Sequence, residues 1–183
     1  PKVKPRLRGL SHCVGAVIAM PATVILYFHA APGPSRIGAL IYGLSLITLL
    51  GISGLYHTPM WAPRVRAIWR KVDHAAIYVL IAGSYVPMLI AIDDYIWEHM
   101  YLVVSVGALL GILKALFWDG ANRFLRALPY ILLGWVAVLL MPAMYTHIGP
   151  ESFWLISSEG VIYTSGAVVY ARRSPNPNPR VFG

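Results

Sequence analysis

Residues 71–92 read KVDHAAIYVLIAGSYVPMLIAI. Beyond Lys71 and Asp73 the stretch carries no further Asp, Glu, Lys or Arg until Asp93. Its apolar residues follow one another without the alternation of a half-buried strand. A run of about 20 such residues is the length that crosses a hydrocarbon core about 30 Å thick. In lipid every backbone N–H and C=O must find its partner within the chain, which leaves helices and closed barrels. The continuous pattern decides for a helix.

Working outward, the same kind of run recurs at about 11–31, 37–56, 73–92, 100–118, 128–146 and 152–171. These six spans predict an all-α fold, a polytopic transmembrane helical bundle. APGPSR, HTPMWAPRVRAIWRK, DDYIWEH, WDGANRFLR and THIGPES separate them, each rich in turn formers or charge. Residues 1–173 read as one transmembrane domain and 174–183 as a Pro/Asn-rich cytoplasmic connector, extended because PNPNP cannot be helical. Such a connector leads to further chain. With Pro1 in place of an initiator methionine, the sequence is expected to be part of a longer one.

Composition agrees with the membrane reading. The chain is 58% hydrophobic and 12% charged, against about 25% charged residues in a soluble domain. Its formal charge of +8 is distributed by topology. With the N-terminus cytoplasmic, one side holds the bases of the N-terminal arm, Arg64, Arg66, Arg70, Lys71, Lys114, Arg123, Arg126 and those from Arg172 onward. Arg36 is then the lone Lys or Arg outside, where Asp93, Asp94 and Glu98 also fall. This basic bias sets membrane orientation. It removes the need for a nucleic-acid partner and leaves membrane lipids, with some affinity for anionic headgroups, as the expected contacts. The localisation implied is a multi-pass protein of the cell membrane. The first apolar run is too long for a secretory signal and five more follow it. Cys13 is the single cysteine, so no internal disulfide is available.

Three polar residues stand where the second span ends and the third begins. Ser53 and His57 are four residues apart and share one helix face. A connection of about 15 residues returns the chain to the same border at Asp73. A hydroxyl, an imidazole and a carboxylate can therefore meet at one depth. One reading is structural. Asp73 is then the N-cap of the third helix, His57 an interfacial residue like Trp61 and Trp69, and Ser53 a small packing residue beside Gly51 and Gly54. The other is chemical. Neutral imidazole binds zinc, a carboxylate orients or deprotonates the metal's water, and serine supports from the outer shell. Zinc brings the pKa of its water to about 7. A catalytic zinc takes three protein ligands, and this border offers His57, with His74 and His12 as weaker candidates.

SGLYH followed by KVDHAAIYVLIAGSYVP resembles the hemolysin III family, relatives of the progestin and adipoQ receptors. RGLSH in the first span and EGVIYTSGAVVYARR in the last extend the resemblance along most of the chain. The resemblance implies a seven-helix membrane protein with a cytoplasmic N-terminus. It implies a zinc site in which His57 is a metal ligand while Ser53 and Asp73 sit around the metal and its water. The two remaining ligands would come from an H-x-x-x-H pair at the start of a seventh helix, which this sequence, ending at Gly183, is expected to lack. A second departure is the absence of an acid in KPRLRGLSH, where many relatives carry a carboxylate. His12, nearby, is expected to serve helix packing.

Other polar residues invite weaker readings. Glu159 is the acid inside a predicted span, a functional candidate by its cost in lipid or else part of a hydrogen-bonded patch. Lys114 is expected to snorkel to the inner interface. His29, His99 and His147 lie at the outer border on separate loops. Pro21, Pro87 and Pro142 are expected to kink their helices. No glycine-rich phosphate loop, C-x-x-C pair, H-E-x-x-H helix or G-x-S-x-G elbow occurs. Two functions remain in view. One is a zinc-dependent lipid amide or ester hydrolase using Asp73 and Ser53. The alternative is a non-enzymatic protein that forms pores, maintains membrane lipids or receives a signal.

Overall fold

The computed structural model describes residues 9–92, 96–118 and 123–172. Helix α1 is Leu10–His29, α2 Pro34–His57, α3 Pro63–Ile92 and α4 Ile96–Phe117. A broken segment follows: α5 Arg123–Trp135, a 3₁₀ stretch Val136–Leu140, and α6 Met141–His147. Helix α7 is Pro150–Arg172. No strand occurs among the described residues.

Five of these segments, counting Ala127–His147 as one, are long and apolar enough to cross a membrane. Helix α1 shows why a bilayer is needed. Only 17% of its apolar stretch is buried inside the protein, and Val17, Ile18 and Phe28 point outward. Lipid is the medium that covers such a face at no cost. Helix α7 is 23 residues long, but ISSEG and YTSG dilute its apolar character. The N-terminal arm, Asp93, Asp94 and the expected connector at 174–183 lie outside the described residues.

The third helix begins at Pro63, ten residues before its apolar run. The chain therefore crosses from α2 to α3 in residues 58–62 rather than in a loop of about 15. Asp73 is then interior to a helix and cannot be its N-cap. Helix α2 packs on both α1 and α3, α3 packs on α4, and α7 meets α5 and α6. Small residues permit the first contacts. A Cβ on Gly54 would lie 2.7 Å from the Cys13 sulfur, so only glycine lets α1 and α2 approach this closely. The core lies where α3 meets α4 and the fifth segment, around Tyr78, Tyr85, Leu89, Val104, Leu140 and Met144.

Pro21 and Pro87 stand inside α1 and α3 as expected, and Pro129 stands inside α5. Pro142 does not interrupt a helix interior. It occupies the first turn of α6, where its missing N–H has no helical partner to lose. The interruption comes earlier, at the 3₁₀ stretch. There the buried Tyr85 hydroxyl donates to the carbonyls of Leu133 and Gly134, at 2.9 Å each. A break in the helical ladder at membrane depth must be satisfied from within the protein, and Tyr85 does this.

Candidate functional site

Ser53 and Asp73 are both buried, at 6% and 9% relative exposure. The Ser53 hydroxyl hydrogen-bonds the Asp73 carboxylate. A carboxylate out of water is costly unless its oxygens are bonded, and the serine one helix away offsets part of that cost. The short α2–α3 connection and the helical extension from Pro63 put the two side chains in register.

The pair lines a pocket of about 430 Å³, within the range of roughly 300–1,000 Å³ usual for small-molecule sites. His12 of α1 and His74 of α3 share its polar end. Leu49, Ile77, Leu80 and Ile81 form the apolar wall, with Tyr130 of α5 and Tyr163 of α7 opposite. His12 is close enough to Asp73 to interact with it electrostatically. Among the described residues its buried Nδ1 has no hydrogen-bond partner, and such an atom would accept from or donate to whatever enters.

Glycine brings His12 there. Gly9 has φ of 88° and a Cβ on it would lie 2.7 Å from that of His57, so the start of α1 rests directly on the end of α2. The His12 and His57 rings stack at 6.5 Å between centroids, and Tyr56 lies 4.3 Å from His57. His57 stands one turn beyond Ser53 at the last residue of α2, beside the pocket rather than in its lining. The structure thus joins Ser53 to Asp73 directly and reaches His57 through His12. Nothing in the spacing of the sequence marks Tyr130 or Tyr163 as walls, because they come from helices far along the chain.

The remaining candidates are placed elsewhere. The Nδ1 atoms of His29 and His147 lie 2.9 Å from the carbonyls of Ile25 and Ala143, so both rings are engaged locally. Lys114 donates to the Leu125 carbonyl at 2.8 Å and lies over the Trp118 ring, tying α4 to α5. Glu159 is exposed on α7, outside the pocket lining. Among the described residues, no three His, Cys, Asp or Glu side chains stand close enough together to hold a metal ion.

Residues 2–183 match the family model described as haemolysin-III related. Hemolysin-3 of Bacillus cereus is 30% identical over 168 residues, covering 88% of this chain and 75% of its own. The hemolysin-3 homolog of Bacillus subtilis (strain 168) is 28% identical over 166 residues, 88% of this chain and 78% of the relative. The adiponectin receptor protein of Drosophila melanogaster is 28% identical over 184 residues, 90% of this chain but 41% of the receptor.

Proposed function

This chain belongs to the haemolysin-III-related family, and from that premise we propose that its pocket is a lipid amide or ester hydrolase site supported by zinc at the cytoplasmic face of the cell membrane. The observation that carries the reading is the buried Ser53–Asp73 pair, set with His12 and His74 into the wall of a largely apolar pocket. A polar pair at one end of an acyl-sized cavity suits a substrate with a carbonyl on a hydrocarbon chain.

The donors at this border are of the kind zinc takes: two imidazoles, His12 and His57, and a carboxylate. His57 would hold the metal. Bound zinc supplies Lewis-acid polarisation and a source of hydroxide near neutral pH. The chain's own residues do the rest. The apolar wall receives the acyl chain and excludes water. Asp73 accepts a proton at its carboxylate. Ser53 donates to that carboxylate and holds its orientation.

Two measurements test this. Elemental analysis should find zinc that is lost on His57→Ala. Turnover of a fatty-acyl amide or ester should require Asp73, and unchanged turnover in Asp73→Asn would sink the proposal. Dye release from vesicles that tracks protein dose and ignores both zinc and Asp73→Asn would favour the pore-type alternative.

A further inference from the structure

The first ten residues of α3 have no part in the pocket chemistry. The helix is 30 residues long, about 45 Å at 1.5 Å per residue. A hydrocarbon core about 30 Å thick is crossed by the stretch from Asp73 to Ile92, which leaves Pro63–Val72 in a headgroup zone some 5–8 Å deep and just beyond it.

The side chains of this segment are sorted by angle. At about 100° per residue, Val65, Ile68, Trp69 and Val72 fall within one arc of about 100°. Arg64, Arg66, Arg70 and Lys71 share the opposite arc of about 160°. Ile68 is 62% exposed and Val65 39%, so the apolar arc has no full protein cover. Residues 54–72 contain no Asp or Glu, so the segment that carries Arg64 and Arg66 is basic throughout.

A second feature fixes the geometry. The Trp61 and Trp69 rings stack at 5.6 Å, and the Trp61 indole donates to the Leu55 carbonyl at 2.9 Å. The α2–α3 connection is thereby pinned against the side of α3. Tryptophan pairs of this kind settle at the membrane interface. The result is a rigid, basic, partly apolar helix end held at headgroup depth.

We infer that Pro63–Val72, with the Trp61–Trp69 stack, is a binding site for anionic phospholipid headgroups. The guanidinium groups of Arg64 and Arg66 reach back along the helix to the phosphates, while Val72 meets the upper acyl region and Ile68 lies at headgroup level. Basic juxtamembrane residues attract anionic lipid by about 1 kcal/mol each, or roughly fivefold in affinity. The site is independent of the hydrolase reading, and Arg64 and Arg66 stand about two turns or more from Asp73 along the same helix.

The test uses the purified chain in neutral detergent, titrated separately with phosphatidylglycerol and phosphatidylcholine, with retained lipid counted by native mass spectrometry. The chain should prefer phosphatidylglycerol. Arg64→Gln with Arg66→Gln should cut that preference by about 25-fold, two steps of about fivefold. Arg64→Lys with Arg66→Lys should keep it, which separates lost charge from damaged folding. Arg36→Gln, at the other end of the bundle, should leave it intact. No preference in the unaltered chain, an unchanged preference in the double glutamine variant, or an equal fall with Arg36→Gln would each overturn the inference.

Discussion

Helices α1–α4 and segments α5–α7 are built on different rules. In the first group, long helices pack side by side, with glycines at their contacts. In the second, the fifth span is broken by a 3₁₀ stretch and joins α7 partly through polar contacts. The pocket takes its polar groups, His12, Ser53 and Asp73, from the first group. It takes two aromatic walls, Tyr130 and Tyr163, from the second. The polar end of the pocket is thus seated among the long helices. The more irregular half shapes what can enter.

The comparison is broken most severely at Asp73. A proton acceptor in the transition state contributes about 10²–10⁴ in rate, so Asp73→Asn should lower lipid turnover by at least about 100-fold while the detergent-solubilised protein keeps its thermal midpoint. A matching loss of stability would make the residue structural instead.

Helix contact among α1–α4 is next. Gly54→Val puts branched carbon where the Cys13 sulfur already stands, at 2.7 Å from the first added atom. Overpacking of this kind costs about 1–3 kcal/mol. Thermal unfolding in detergent should show a clear fall in midpoint, and His12 should be displaced with α1. An undisturbed midpoint would mean that α1 is free to move away from α2.

How much of this was legible follows from where each signal is stored. Five of the six expected spans were, because a bilayer demands an apolar run and each run is contiguous; the sixth, 152–171, is helical but not among the segments apolar enough to cross. So was the nearness of Ser53 and Asp73, since the chain turns back between them, although the turn is residues 58–62 and Asp73 stands ten residues into α3. The true start of α3 was not. Arg64, Arg66, Arg70 and Lys71 remove it from any apolar window, although Pro63 and the angular sorting of its side chains are helical signs. The place of His12 at the pocket was hidden because it depends on Gly9 and Gly54 admitting α1 to the end of α2. The break in the fifth span was hidden too. Its compensating hydroxyl, Tyr85, lies 48 residues from Leu133.

That hydroxyl offers a sharper test of the irregular half. Tyr85→Phe keeps the ring in the core and removes one donor from two carbonyls. An unsatisfied buried polar group costs about 1–3 kcal/mol. The variant should lose stability by that amount, and amide exchange should rise around residues 133–140 more than in α1–α4. Uniform exchange across the molecule would show that the break needs no support from Tyr85.

The smallest effect is expected where α5 meets α7. The Trp135 indole donates to the Thr164 hydroxyl at 2.9 Å, and both groups are on the outer part of the protein. Side-chain bonds between membrane helices average about 0.6 kcal/mol, because the separated helices find other partners. Thr164→Val, which keeps the shape and removes the acceptor, should therefore shift the thermal midpoint only slightly. Tryptophan fluorescence should report the loss of the hydrogen bond directly. A shift as large as that of Tyr85→Phe would place this bond among the principal contacts of α7. The irregular half would then rest on two polar anchors, one at each side of the fifth span, rather than on apolar packing with polar contacts at its margin.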